Sequence, residues 1–470
     1  MFTDQIEDAG SARFSELRRR EFSRLDAGLE IYLDYTGAGL YPQSLVSRHA
    51  EMLASEVLGN PHSGNPTSAR ATTRLERCRS HVLAFFNASP DDYAVVFTAN
   101  ASQALKLVGE AYPFEPDDRL MLTFDNHNSV LGIREFARKA GVSTEYAPIL
   151  PPDMRVDESA LFHALDRSGG RHRLFAFPAQ SNFSGVQHPL EWIQRAQSLG
   201  WDVLLDAAAF VPTNRLDLSQ WRPDYVAMSF YKMFGYPTGV GALLVRHSAL
   251  DRLHRPWFAG GTITVASVQA DRHYLAPGGS AFEDGTVNFL AIPAVDFGLA
   301  FLESVGIDAI HAHVQRLTAA LIDALVSLRH DNGRELVTLY GPPDMDRRGA
   351  TVAFNFVEPH GDHVDPQLVE QLASQQRISL RTGCFCNPGA GEVSLGLSKP
   401  RLEACFLRSP RRMSYDDFRR CVAGKGSGAV RASLGLASNM ADVQAMADFA
   451  RQFVNVDVPV LAGRLQAAPR

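Results

Sequence analysis

Between residues 90 and 250 the chain alternates short apolar runs with stretches whose apolar positions recur every three or four residues. YAVVFTA (93–99) precedes ASQALKLVGEAY (101–112), and RLMLTFD (119–125) precedes SVLGIREFARKAG (129–141). RLFAFPA (173–179) precedes PLEWIQRAQSLG (189–200), and WDVLLDAAA, YVAMSF and GALLVR follow. Continuous apolar runs separated by helical periodicity predict βαβ units around a buried, mostly parallel sheet. From residue 260 to 289 the pattern turns Gly-rich and predicts loops. Beyond it, 291–306 and 308–328 read as helices. Strand patterns (GATVAFNFV, GAVRASLG) then mix with helical ones (PQLVEQLASQQ, MADVQAMADFARQFV). The expected architecture is α/β, with a large unit over 31–295 and a smaller α+β unit from 1–30 and 296–470.

Composition narrows the function classes. The chain has 470 residues, 45% hydrophobic and 21% charged, with a net charge of -6. That balance gives no reason to expect nucleic acid or an anionic membrane as partner. No apolar run is long enough to cross a bilayer, and the opening MFTDQIEDAGSARFSELRRREF lacks the apolar stretch of a signal peptide. Its RRR (18–20) reads as a solvated helix face, as does HAH (311–313). The five cysteines show no paired spacing, so a cytoplasmic protein with free thiols is expected. Only five of the 46 basic residues are lysines. Lys106 and Lys139 fall in helix patterns, while Lys399 and Lys425 fall in stretches expected to face solvent. Lys232 alone ends a core strand.

In open α/β sheets ligands bind beyond the carboxyl ends of the strands. After YAVVFT a helix opens near Ala101 and Ser102, where free N–H groups and a hydroxyl suit a phosphate, or where Asn100 or Ser102 merely caps the helix. His127 follows the next run, where an imidazole could stack on a flat ring. Asn182 follows RLFAFPAQ, in a stretch that equally reads as a turn ending at Gly185. Asp206 ends an apolar strand, a costly place for a charge without a cation. Lys232 follows DYVAMSF. An anion cradle, an imidazole, a buried carboxylate and a buried lysine together match the needs of pyridoxal 5'-phosphate: phosphate binding, ring stacking, protonation of the ring nitrogen and a Schiff-base amine.

These motifs resemble class V pyridoxal phosphate enzymes with the aminotransferase fold (fold type I), in particular the cysteine desulfurase group and the N-terminal desulfurase domain of molybdenum cofactor sulfurases. The resemblance is carried by YLDYTGAG (32–39), GNPHSGNPTS (59–68), NHNSVLGIRE (126–135), FPAQSNFSG (177–185), LLDAAAF (204–210), SFYKMFGYPTGVGALLVR (229–246) and RTGCFCNPGAG (381–391). It implies a homodimer in which Lys232 bonds the cofactor aldehyde, Asp206 pairs with the ring nitrogen and His127 stacks on the ring. Asn182 would lie near the ring hydroxyl, and Ala101, Ser102 and Ser229 would hold the phosphate. Thr286 would reach the partner subunit's phosphate, and Arg431 would clamp the carboxylate of L-cysteine. Three positions depart from the family pattern: Tyr231, Ala209 and Gly391 stand where relatives carry His, Gln and Cys.

Cys384 and Cys386 share a Gly/Pro-bounded turn. His360, His363 and Cys405 add no recognisable metal spacing, and no metal site is expected. A bridge between residues two apart would be strained. A nucleophilic thiolate on a mobile loop, helped by Arg381, is the remaining reading. The resemblance makes Cys386 the acceptor of sulfur from L-cysteine, with alanine released and a small molecule or carrier protein as the next acceptor. A transaminase, a C–S β-lyase or a selenocysteine lyase is the alternative.

Overall fold

The structure, a computed structural model, describes residues 9–408, 412–422 and 428–467. Seven strands form the main sheet: β1 (Tyr93–Thr98), β2 (Arg119–Thr123), β3 (Thr144–Ala147), β4 (Arg173–Pro178), β5 (Asp202–Asp206), β6 (Tyr225–Ser229) and β7 (Gly241–Arg246). Their spatial order is β1-β7-β6-β5-β4-β2-β3. The steps from β6 to β3 are parallel, and β7 runs antiparallel to both neighbours. As a result β1, β2, β4, β5 and β6 all end on one side. Every residue of β6 is buried, as expected for a strand covered on both faces.

The Gly-rich stretch is not loop throughout. It contains an antiparallel hairpin, β8 (Ile263–Ser267) with β9 (Arg272–Leu275). Its side chains are largely exposed, Val268 at 98%, so the sequence lacked the contrast between a buried and an exposed face that makes strands legible.

A second sheet follows, ordered β10-β11-β13-β12, from β10 (Val337–Tyr340), β11 (Thr351–Phe356), β12 (Arg381–Gly383) and β13 (Ala429–Ser433). Ile31 and Tyr32 pair in parallel with Ile378 and Ser379, and Asp34 bridges to Ser433. The N-terminal motif YLDYTGAG is thereby brought beside this sheet. One contiguous apolar cluster runs from Phe175 and Phe177 in β4 to Phe354 and Phe356 in β11, so the two sheets share a core.

Three expectations on surface and thiols are overturned. Arg18, in α1 (Ala9–Glu21), is buried, donating to Asp442 Oδ2 at 2.7 Å and Asp26 Oδ1 at 2.9 Å. A buried guanidinium needs such counter-charges, and both come from outside its own helix. His313 is likewise buried, its ring stacked on Phe14 at 3.9 Å and its Nε2–H donating to Ser438 O at 2.9 Å. Cys405 and Cys421 form a disulfide. Their helices, Lys399–Arg408 and Tyr415–Cys421, meet over Leu402 and Val422 in a small separate cluster. Lys399 is exposed, and Lys425 lies outside the described residues. Among the described residues no helix is long and apolar enough to cross a membrane.

Candidate functional site

Each candidate pocket residue owes its place to a strand end. Asp206 is the last residue of β5, 8% exposed, with Oδ1 accepting from Ala208 N at 3.0 Å. Ser229 ends β6, and Lys232 lies in the short helix α2 (Phe230–Phe234) that follows directly. Gly235 closes that helix at φ +75°, where a Cβ would come within 2.3 Å of Tyr41 N. After β1, Asn100 caps the next helix by accepting from Gln103 N at 3.0 Å, so the capping reading holds for that residue. Ala101 N donates to Ser229 Oγ at 2.8 Å, and the hydroxyls of Ser102 and Ser129 are 2.6 Å apart.

These ends converge. Ala101, Ser102, His127, Asn182, Asp206, Ser229 and Lys232 line one cavity of about 170 Å³. A roomier cleft of about 700 Å³ opens at the amino ends of β4 and β5, lined by Arg173, Asp202 and Arg252. Arg252 is paired there with Asp202 at 2.6 Å, and no lysine or cysteine reaches it. The smaller cavity, which gathers these residues, is therefore the candidate site.

Among the described residues Lys232 and Asp206 form no ion pair with each other, nor does the Lys232 amine hydrogen-bond elsewhere. Burial lowers the pKa of Lys232, with Asp206 opposing the shift. Burial likewise lowers that of His127, again against Asp206, which favours a neutral ring. His127 Nδ1 accepts from Ser129 N at 3.1 Å, so the neutral ring carries its proton on Nε2. An amine and a carboxylate face one cavity without neutralising each other, beside a helix start and a neutral imidazole. That donor set fits an aldehyde-bearing, phosphorylated pyridine.

The Cys turn docks on the same mouth. Asn128 N donates to Cys386 O at 2.7 Å, and Asn182 Nδ2 to Phe385 O at 2.7 Å. Asn387 is fully buried, with Nδ2 donating to Asp125 O at 2.6 Å. Gly389 is required by contact: a Cβ would stand 1.8 Å from Phe124 O. Cys386 is exposed, whereas Cys384 packs against Gly391, whose Cβ position is 2.9 Å from its Sγ. His360 meets carboxylates elsewhere, with Glu358 and Asp457 offering atoms within 4.8 Å in a surface cluster of ion pairs.

A family model for Aminotransferase class-V matches residues 31–446. The chain belongs to that family. It is 38% identical over 94% of its length to the molybdenum cofactor sulfurase of Arabidopsis thaliana, covering 58% of that protein. The chain thus spans little more than half the length of the curated relatives it matches. The apo cysteine desulfurase of Thermococcus onnurineus NA1 superposes with a TM-score of 0.77 at 23% identity, over 94% of this chain and 98% of that one. A C-DES mutant with glycine covalently linked to its PLP cofactor gives a TM-score of 0.71 at 18% identity, over 93% and 99%. These neighbours share the fold: α/β, with a mostly parallel central sheet.

Besides Cys386, two further candidates do not line this cavity. Thr286 is exposed, its Oγ1 accepting from Asn60 Nδ2 at 3.3 Å. Arg431 is 2% exposed, its Nη1 donating to Asn182 O and its Nη2 to Asp34 Oδ1, both at 2.9 Å. Asp34 was missed in the sequence. It also accepts from Arg381 Nη2 at 2.6 Å. Arg381 and Arg431 face each other across β12 and β13, a like-charged cross-strand pair that needs a carboxylate between its members. Two arginines singled out without a counter-charge were the available signal.

Proposed function

We propose that the chain binds pyridoxal 5'-phosphate and abstracts sulfur from L-cysteine, leaving L-alanine and a persulfide on Cys386. The observation that carries this reading is the convergence of Lys232, Asp206 and His127 on one cavity with the Cys386 turn docked at its mouth. The family match and the sulfurase relatives support it.

In this reading the start of the helix at Ala101 and Ser102, with Ser229, holds the phosphate. Asp206 keeps the proton on the ring nitrogen, His127 covers the ring and Lys232 bonds the aldehyde. When bound, the cofactor supplies an electron sink for the pair released at the amino acid's Cα. Arg431 takes the amino acid's carboxylate in a charge-assisted contact. The lowered pKa of Lys232 lets its amine accept the Cα proton and return one. The Cys386 thiolate attacks the substrate sulfur, so that one S–S bond forms and the Cβ–S bond breaks. The sulfur is oxidised to the sulfane level and Cβ is reduced to the methyl of alanine. Residues 31–295 are the cofactor-holding unit in this scheme, and the remainder carries Cys386 and Arg431.

A second copy of the chain completes the proposal. Trp257, Val265, Val268 and Tyr274 are each exposed, on and beside the β8–β9 hairpin, and exposed apolar side chains of this kind fit a homodimer in which Thr286 reaches the partner's pocket. Light scattering of the purified protein gives its mass directly.

The chemistry is tested by incubating cofactor-loaded protein with L-cysteine and weighing the peptide that contains Cys386. One added sulfur atom, with alanine formed in step, is expected. An unmodified peptide, or Cys386→Ala turning over at the wild-type rate, rejects the persulfide route in favour of a lyase or transaminase.

A further inference from the structure

The backbone that carries the Cys386 thiol is unfavourable by itself. Phe385 and Cys386 both adopt the left-handed conformation, at φ +55° and +56°. Consecutive non-glycine residues of this kind persist only where their surroundings over-determine them. Asn128 N on Cys386 O, Asn387 N on Cys384 O and Asn387 Nδ2 on Asp125 O supply part of the restraint, and one further side chain reaches both flanks. On one flank of Cys386, Asn182 Nδ2 donates to Phe385 O at 2.7 Å. On the other flank, Asn182 Oδ1 accepts from Asn387 Nδ2 at 3.0 Å. The same side chain lines the cavity that Lys232 and Asp206 face. The main-chain oxygen of Asn182 accepts from Arg431 Nη1 at 2.9 Å.

We propose that Asn182 is a positioning residue for the sulfur-accepting turn: its carboxamide grips the residues on both sides of Cys386 and holds the thiol at the cavity mouth. The purpose assigned to the turn rests on Cys386 being the sulfur acceptor, but the grip itself does not. A carboxamide is the one short side-chain group that offers a donor and an acceptor in a single plane. A carboxylate of the same shape keeps the acceptor for Asn387 and turns a second acceptor against Phe385 O. Asn182→Asp therefore separates positioning from space-filling.

The test is amide hydrogen exchange on the 470-residue chain without added L-cysteine, read at Asn387, which donates to Cys384 O, and at Asn128, which donates to Cys386 O. It is paired with the rate of iodoacetamide alkylation of Cys386 at fixed pH. Asn182→Ala and Asn182→Asp should both speed exchange at these amides by about tenfold or more and alkylation severalfold, while amides of β5 and β6 keep wild-type protection. Wild-type exchange and alkylation in Asn182→Asp would overturn the proposal, as would changes within twofold in both variants. If Asn182→Ala proves too unstable to measure, the nearly isosteric Asn182→Asp decides alone. A turn unaffected by these substitutions leaves the sulfur chemistry standing, and a protein that moves no sulfur still reports on Asn182.

Discussion

The pocket and the Cys turn meet at one mouth but are built in opposite ways. Lys232, Asp206, His127 and Asn182 sit at or just beyond the ends of buried, mostly parallel strands, where the sheet fixes their backbone. Cys386 sits on a turn with two successive left-handed residues, costing on the order of 1–3 kcal/mol each. It is held by the Asn182 side chain, by Asn387 of the turn itself, and by the main chain at 125–128. Chemistry that must not move is placed on the sheet. In the proposed reaction the thiol receives sulfur and hands it on, and it is placed where a few hydrogen bonds decide its position.

The contrast breaks most sharply at Lys232. Lys232→Ala should cut alanine and sulfide release by about 10³-fold or more and abolish borohydride fixation of the cofactor. The thermal transition and the Cys turn should stay intact, because the removed amine makes no hydrogen bond. Borohydride labelling that survives the substitution would place the amine elsewhere.

Arg431 stands between the two regions and is the next largest test. A lysine cannot reproduce a guanidinium that reaches Asn182 O and Asp34 together. Arg431→Lys should lower kcat/KM for L-cysteine about 10–100-fold, with the change carried mainly by KM. An unchanged KM would remove Arg431 from substrate binding.

Gly389 sharpens the comparison on the turn side. A Cβ there would collide with Phe124 O at 1.8 Å, so Gly389→Ala should cost about 1–3 kcal/mol in denaturant unfolding. The loss should appear as a looser turn, with cofactor absorbance retained. Wild-type stability would show that the turn yields without cost.

The smallest effect concerns pH. Burial lowers the pKa of Lys232 from the 10.5 of a free lysine, so the reactive amine is populated at lower pH than on an exposed chain. The rate of pyridoxal phosphate uptake by cofactor-free protein should rise with pH and level off below pH 10.5. A rate still climbing beyond that value would mean that the amine is not buried.

What could be read from the chain alone was set by local periodicity. A buried parallel strand writes itself as an unbroken apolar run, so its last residue can be counted, and Asp206, His127, Asn182 and Lys232 were each found at the end of such a run. Lys232 also stood out because only five lysines exist. The β8–β9 hairpin stayed hidden because its exposed faces show no such contrast. Other features depended on partners far away in sequence. The burial of Arg18 depends on Asp442, and that of His313 on Phe14. The Cys405–Cys421 bond depends on how two helices meet. Asp34, 347 residues from Arg381 and 397 from Arg431, could be joined to them only by folding. A charge declares its cost locally, but which opposite charge offsets it is decided in three dimensions. The pocket was therefore legible in one dimension, whereas the grip on the thiol, made by Asn182 across more than 200 residues, belongs to the tertiary structure.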